Sequence, residues 1–266
     1  MKNKKPENQI FVSSGKKDAG ESEPAPKFNM VVSPDDRNLE FNWQTTGQMI
    51  LTFQAPPSFV SRINELYDDL MHKGKLINYS KWLLGKVVDE YSLYLDDDTN
   101  SKVENHNFLP DDIHEWIKDR IHQYLRFTNT SYVRIKTAAA WINDYKAGEY
   151  NPVHIHFGNS EVFKDPLLVS NPHKVGLVGL MTLKVPNNMG KEFTNDGDIE
   201  KKRNGYTEFV GGGHGAQFAP STTVIKLQPG DFAVFPYDML HCVYPHFNEN
   251  ETRRTFPTNI DVYLNE

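Results

Sequence analysis

The sequence contains one cysteine and no long apolar segment. Because Cys242 has no second thiol to pair with, an internal disulfide framework and a zinc cluster of thiolates are both excluded. No apolar run approaches the roughly 20 residues of a membrane-spanning helix, and no apolar segment follows the N-terminal lysines as in a secretory signal. These absences predict a soluble, cytoplasmic protein with no membrane partner, in the host cytoplasm if a phage encodes it.

The charge balance is mildly acidic. The formal net charge is −6, and no long basic run follows the first few residues, so nucleic acid is not expected as a partner. The glycine-rich residues 211–215 lack the lysine, the serine and the strand–helix setting of a phosphate-binding loop. What the chain does have is a 38% hydrophobic and 12% aromatic content, which suffices for a sizeable core. The composition leaves the oligomeric state open.

The chain divides into a polar N-terminal segment and one long domain. Residues 1–28 are rich in Lys, Glu, Ser, Gly and Pro, which predicts a flexible tail, and residues 29–266 are expected to form a single domain. Helical support is predicted within residues 58–127, with Ser58 as N-cap of a first helix over residues 59–72. A second helix begins near Pro110, and its apolar stripe is Ile113, Ile117, Ile121 and Leu125. Residues 82–94 fit either a helix or a loop.

Short β-like segments separated by turn residues fill residues 130–265. Strands are predicted at residues 133–145, 176–185, 206–210, 222–227, 232–235, 241–244 and 254–263, after an earlier one at 50–54. The apolar run at 176–185 is typical of a buried central strand. Residues 161–174 form a polar insertion long enough to serve as a lid or substrate loop. Many short strands with turns between them predict a sandwich or barrel.

Two histidines two positions apart lie near the centre of this region. Residues 148–158 form a glycine-led turn that leads into His154 and His156. Side chains two apart on a strand point to the same face, so both imidazoles can chelate one metal ion. A pair of surface histidines on an exposed strand is the alternative.

A third histidine and an Arg-x-Thr motif follow in order. His241 comes several predicted strands after His154, a spacing that suits a third metal ligand delivered by a distant strand. Three protein ligands leave coordination positions open for substrate and oxygen. Arg253 and Thr255 share a strand face, where a guanidinium and a hydroxyl can bind a ligand carboxylate. Arg253 is preferred to Arg254 because only Arg253 has a hydroxyl two residues later.

In this combination and order the motifs resemble those of the non-haem Fe(II)- and 2-oxoglutarate-dependent oxygenases, in the prolyl-hydroxylase-like branch of bacteria and phages. The matching stretches are residues 141–143, 148–158, 179–186, 230–236, 240–245 and 253–259. The resemblance implies a mainly β fold, a double-stranded β-helix (jelly-roll) with N-terminal supporting helices. It also implies Fe(II) as cofactor and 2-oxoglutarate as co-substrate.

The same resemblance assigns roles to particular residues. His154 and His241 would bind the metal. His156 stands where the family has its carboxylate ligand, so the site would consist of three histidines unless an acid from elsewhere, such as Asp238, substitutes. Arg253 and Thr255 would hold the distal carboxylate of 2-oxoglutarate. The expected reaction couples decarboxylation of 2-oxoglutarate by O2 to hydroxylation of a small-molecule or peptidyl substrate. In the branch, a tyrosine often stands where this chain has Thr182.

Two rival interpretations remain open at this level. One is a jelly-roll binding or structural protein, such as a virion component, with a degenerate metal site. The other is a cupin-type metalloenzyme that does not use 2-oxoglutarate. The sequence alone does not identify the substrate.

Overall fold

The computed structural model of the protein describes residues 42–45, 48–82, 84–96, 107–156, 174–192, 202–211 and 222–264. The tail predicted at residues 1–28 lies outside the described residues, as does the predicted insertion at 161–174 except for its last residue. The elements in chain order are β1 (Asn42–Thr45), β2 (Met49–Gln54), α1 (Pro57–His72), a 3₁₀ turn (Ser80–Trp82), β3 (Asp89–Leu95), α2 (Asp111–Phe127), β4 (Arg134–Tyr145), β5 (Asn151–His154), β6 (Lys174–Lys184), β7 (Thr207–Val210), β8 (Thr222–Ile225), β9 (Asp231–Pro236), β10 (Leu240–Val243) and β11 (Arg253–Tyr263).

The strands form two antiparallel sheets. The larger sheet has the order β1-β2-β9-β6-β11-β4-β3 and the smaller one β5-β10-β7-β8. Strands β9-β6-β11-β4 and the four strands of the smaller sheet make an eight-stranded jelly-roll, which confirms the predicted fold class. The apolar run that predicted a central strand is β6, and it lies between β9 and β11.

Alternation along the central strands gives the larger sheet two buried faces. Val178, Leu180 and Phe235 face the smaller sheet and pack with Phe209 of β7. The rings of Phe209 and Phe235 meet edge-on with centroids 4.9 Å apart. The side chains that alternate with these along the strands point to the other face of the sheet, where they pack with the helices in the main core. The sheet is therefore sandwiched between the smaller sheet and the helices.

The two helices bury one stripe each against the larger sheet. In α1 the buried residues are Val60, Ile63, Tyr67 and Leu70; in α2 they are Ile113, Ile117, Ile121, Tyr124 and Leu125. This spacing matches the helical period that predicted them. Among the described residues, neither helix is long and apolar enough to cross a membrane.

Two local expectations were wrong. Ser58 does not cap α1: the helix begins at Pro57, and Pro56 occupies the N-cap without a side-chain hydrogen bond, because a proline ring already has the φ angle of a first helical turn. The region that fitted helix or loop contains β3, which pairs with β4 at the sheet edge. The strand was not recognised because it begins with Asp89 and Glu90, and acidic residues are depleted in strands.

Candidate metal centre and its cavity

A tight turn delivers the first histidine to the junction of the two sheets. Strand β4 ends at Tyr145, and the chain reverses through Gly148, whose φ of +77° favours glycine. The Gly148 amide donates to the His246 carbonyl at 2.7 Å, which fixes the turn. Strand β5 then pairs with β10 so that His154 lies directly opposite His241.

The three predicted histidines converge. One ring nitrogen from each of His154, His156 and His241 lies within 4.8 Å of the others. The Nε2 atoms of His156 and His241 are 3.3 Å apart, and the ring centroids of His154 and His241 are 4.3 Å apart. His156 follows the last residue of β5, and its amide donates to the Tyr237 carbonyl at 2.9 Å.

Each imidazole has an oxygen acceptor beside its Nδ1 atom. The partners are the Pro152 carbonyl at 2.7 Å for His154, Asn259 Oδ1 at 2.8 Å for His156 and the Met239 carbonyl at 2.9 Å for His241. An oxygen acceptor requires a proton on Nδ1, so each neutral ring keeps its lone pair on Nε2. Each of the three rings therefore has an Nε2 lone pair available for a metal ion.

Burial keeps the cluster neutral. It lowers the pKa of His154 and, together with the nearby His154, lowers the pKa of His156 to about 3. Burial is also the main cause that holds the pKa of His241 well below its usual value, with His156 and His154 adding to it. Neutral imidazole is the form that binds metal ions.

These residues fit a divalent transition metal. Two lone pairs at 3.3 Å with no proton between them repel each other unless a cation lies at their meeting point. Metal–nitrogen bonds of about 2.0–2.1 Å place neighbouring ligand nitrogens roughly 3 Å apart, which agrees with this spacing. Imidazole suits iron, zinc, copper and nickel alike, so the donor set favours no single one of them.

The cluster opens into a cavity of about 510 Å³ between the two sheets. This volume is within the range of small-molecule sites. The walls are Leu84, Glu90, Trp141, Asn143, Tyr145, Asn151, Val153, His154, Ile155, His156, Val178, Leu180, Phe235, His241, Val243, Pro257 and Asn259. Trp141 covers one side of His156, with ring centroids 5.9 Å apart and planes inclined by 27°. The histidine cluster thus lies in a cavity whose walls are mostly apolar, with a few polar side chains.

Arg253 is a buried cation with no acidic partner in the part of the chain that the structure describes. Its side chain is 1% exposed, and neither Nη1 nor Nη2 has a hydrogen-bond partner among the described residues. Arg253 does not line the cavity itself. Its Cζ lies 5.3 Å from the ring centroid of Tyr145, and Tyr145 is one of the cavity walls. Burial lowers the pKa of the guanidinium. A buried charge of this kind is stabilised by a bound anion.

Arg254 lies on the opposite face of β11 and is fully paired. Its Nε and Nη2 donate to the two oxygens of Asp144 at 2.7 and 2.9 Å. Its Nη1 donates to Asn64 and Asp68 of α1 at 2.9 and 3.0 Å. Of the two neighbouring arginines, only Arg253 has donors free for a ligand.

Hydroxyl and amide groups surround the free guanidinium. Thr255 lies opposite Asn143 of β4 and Thr182 of β6, in one row across the larger sheet. Thr255 Oγ1, Thr182 Oγ1 and Asn143 Oδ1 are buried without a partner among the described residues. Buried polar atoms are otherwise nearly always satisfied, so this row indicates room for a polar ligand. Thr182 thus remains in the row although the branch often has tyrosine there.

Sequence reasoning missed Asn259 and Glu90. Strand alternation places Asn259 on the face of Arg253 and Thr255, but its contact with His156 depends on chain packing that the sequence does not show. Glu90 lies in the strand that was not recognised. Asp238, considered as a substitute ligand, is exposed, accepts from Gln48 Nε2 at 2.8 Å and is not in the cluster.

Comparison with known proteins gives structural likeness alone. No protein-family model and no curated protein matches the sequence. A prolyl-4-hydroxylase from Pseudomonas putida aligns over 85% of this chain and 93% of its own, with TM-score 0.48 and 8% identity. A viral collagen prolyl hydroxylase from Paramecium Bursaria Chlorella virus-1, in complex with 2-oxoglutarate, aligns over 80% and 95%, with TM-score 0.43 and 13% identity. A 2OG-Fe(II) oxygenase family oxidoreductase from Burkholderia pseudomallei aligns over 79% and 83%, with TM-score 0.43 and 15% identity. These structures are of the kind that the sequence motifs resemble.

Proposed function

We propose that the protein is an Fe(II)- and 2-oxoglutarate-dependent oxygenase that hydroxylates a small-molecule or peptidyl substrate. One observation carries the proposal: a three-imidazole cluster lines an inter-sheet cavity, and beside Tyr145, another wall of that cavity, lies a buried arginine with no counter-ion among the described residues. The cluster fits a metal ion and the arginine fits a carboxylate. The order of these residues along the chain adds the resemblance already described.

In this proposal the cluster residues hold the metal through Nε2. His154 and His241 come from paired strands, and His156 completes the set from the segment after β5. Bound iron would supply the electron-transfer chemistry that lets O2 decarboxylate 2-oxoglutarate and oxidise a C–H bond. The neutral three-histidine set adds no negative charge, so it leaves the centre attractive to an anionic co-substrate.

The residues around Arg253 orient the co-substrate. Its two free Nη groups bind the distal carboxylate as a planar fork, and the Thr255 hydroxyl donates a further hydrogen bond. The Tyr145 hydroxyl, 3.2 Å from Asn143 Nδ2, bounds the cavity between this end and the histidines. The apolar walls exclude water from the metal end, where an oxidising species must reach substrate rather than solvent.

The test is metal-dependent turnover of 2-oxoglutarate. Purified full-length protein with Fe(II), ascorbate, O2 and 2-oxoglutarate should form succinate and CO2, with succinate measured by NMR, even when no substrate for hydroxylation is added. A His154→Ala/His241→Ala double variant should lose both metal binding and succinate formation. His72→Ala, which removes an exposed histidine at the end of α1, is the matched control and should retain both.

The outcomes separate the rivals. Absence of metal binding and of succinate would falsify the proposal and favour a binding or structural jelly-roll protein. Tight metal binding with no affinity for 2-oxoglutarate would favour a cupin-type metalloenzyme. Succinate formation that survives the double histidine substitution would also contradict the assignment.

A further inference from the structure

The three imidazoles differ in what holds their Nδ1 atoms. His154 and His241 each bond to the backbone carbonyl two residues before them, those of Pro152 and Met239. A backbone carbonyl is fixed by the course of the main chain and is independent of side-chain identity. His156 alone depends on a side chain, the amide of Asn259, 103 positions later.

Asn259 connects the two sheets at the metal centre. It lies on β11 of the larger sheet, opposite Val178 of β6, and is a wall of the cavity. His156 belongs to the segment that leaves the smaller sheet. Outside the strand ladder, the amide of His156 bonds to Tyr237, and its ring stacks between Trp141 and His241. Stacking leaves the position of the ring proton open, and the hydrogen-bond partner at Nδ1 is Asn259.

The direction of this hydrogen bond decides whether a metal can bind. With Asn259 Oδ1 as acceptor, His156 carries its proton on Nδ1 and presents a lone pair at Nε2. If the amide were reversed, Asn259 would donate, the proton would lie on Nε2, and it would bond to His241 Nε2 at 3.3 Å. That second arrangement closes the metal site.

From these contacts we infer that Asn259 is a positioning residue that selects the Nδ1–H tautomer of His156 and so makes this histidine the third metal ligand. The inference deepens the proposed function and rests on its metal centre. An amide orients the ring without placing a further negative charge beside it, whereas a carboxylate in this position would also make the imidazole a stronger donor. Asn259 thus belongs functionally with His156.

The tautomer can be measured directly. Long-range ¹H–¹⁵N NMR of histidine rings in the metal-free, full-length protein should show His156 as the Nδ1–H form. Asn259→Leu removes the acceptor at similar size and should give a mixture or the Nε2–H form. An Nε2–H form in the unsubstituted protein would overturn the inference.

Metal affinity gives the second readout, with Co²⁺ as the probe. In calorimetry, Asn259→Leu should weaken Co²⁺ binding by about 10- to 100-fold and shift its visible absorption, because outer partners of ligands have effects of this size. Asn259→Asp keeps an acceptor and should restore both affinity and spectrum. Asn64→Leu, which removes an asparagine bonded to Arg254 on the far face of the sheet, should leave both unchanged.

The results distinguish two failures. Unchanged Co²⁺ affinity and spectrum in Asn259→Leu would reject the role of Asn259 while leaving the oxygenase proposal intact. Equal losses in Asn259→Leu and Asn259→Asp would indicate a structural role only. If the unsubstituted protein binds no Co²⁺, the metal centre fails, and the proposed function fails with it.

Discussion

At the scale of single residues, Arg253 and Arg254 are neighbours in the sequence but have different surroundings. Arg253 faces the smaller sheet, is 1% exposed, and neither of its Nη groups has a partner among the residues that the structure describes. Arg254 faces α1 and has carboxylates on both sides. The alternation of a β-strand thus places two neighbouring arginines on opposite faces, one without and one with an acidic partner among the described residues.

Replacing Arg253 should weaken binding of 2-oxoglutarate without loss of stability. We expect Arg253→Gln to raise the Kd for 2-oxoglutarate by about 10- to 100-fold, because a hydrogen bond to a charged group contributes about 1.5–3 kcal/mol. Its free energy of unfolding should be equal or higher, since an uncompensated buried charge is removed. Calorimetry with Ni²⁺-loaded protein and urea unfolding measure the two quantities. An unchanged Kd would remove Arg253 from the site.

Glu90 gives a pH-dependent prediction. It is 3% exposed, and burial with a smaller contribution from Glu149 raises its pKa from 4.5 to about 8. Between these two pKa values the folded state holds the proton more tightly than the unfolded state, so stability falls as pH rises. The slope is at most about 1.4 kcal/mol per pH unit for this one group. Below pH 4.5 and above pH 8 this contribution is constant.

Glu90→Gln should remove that slope. In urea unfolding, the free-energy difference between Glu90→Gln and the unsubstituted protein should become more favourable to the variant from pH 5 to pH 8.5. A difference that is independent of pH would show that Glu90 titrates normally in the folded protein.

The single-residue scale also shows where sequence reasoning stops. The histidines and Arg253 were predicted because their types and order are informative by themselves. Asn259 was not, because its role exists only through contact with a residue 103 positions away. An asparagine on a strand gives no signal of its own until the pairing of β11 is known.

At the scale of elements, Arg254 joins α1 to the larger sheet. Its bidentate contact with Asp144 is mostly buried, with side-chain exposures of 11% and 14%. Its contact with Asp68 is solvated on the helix side, where the carboxylate is 61% exposed. The two ion pairs have similar lengths, but their surroundings differ.

Double-mutant cycles should separate these pairs. We expect a coupling free energy of about 1–3 kcal/mol between Arg254→Gln and Asp144→Asn, since contacting residues in one network couple by this order. Coupling with Asp68→Asn should be below about 1 kcal/mol, as for exposed pairs. Urea unfolding of the single and double variants measures both. Equal couplings would contradict the expectation that the buried pair with Asp144 of β4 is the stronger of the two.

Element prediction succeeded where periodicity was clean and failed at β3. The stripes of α1 and α2 and the apolar run of β6 follow one period and were recognised. In β3, polar residues such as Glu90 and Ser92 are buried, so the inward positions do not read as apolar. A strand that contributes polar groups to a site breaks the pattern by which strands are recognised.

At the scale of the whole molecule, we propose that residues 29–266 form one domain. Strands from both halves of the chain share the larger sheet, where β2 pairs with β9 and β3 with β4. The sequence predicted a sandwich or barrel from many short strands, and the resemblance supplied the jelly-roll. Strand order could not follow from periodicity, because pairing between distant strands is set by packing of the whole core.

We expect a bound metal ion to stabilise the attachment of β5 to the smaller sheet. Strand β5 is an edge of the smaller sheet, and its ladder with β10 consists of two residue pairs with a register shift between them. The ligands lie on both strands and on the following segment, which Asn259 connects to the larger sheet. Metal binding at this point therefore ties β5 and the segment after it to β10, which is itself paired with β7.

Metal binding should consequently stabilise the protein globally and protect β5 and β10 locally. At a free metal concentration 100 times its Kd, the free energy of unfolding should rise by about 2.7 kcal/mol, and a chelator should reverse the gain. Hydrogen exchange should slow more in β5 and β10 than in α2, because the helix is already held by the main core. The His154→Ala/His241→Ala variant should show neither effect. A gain that persists in this variant, or protection spread evenly over both sheets and helices, would place the metal elsewhere.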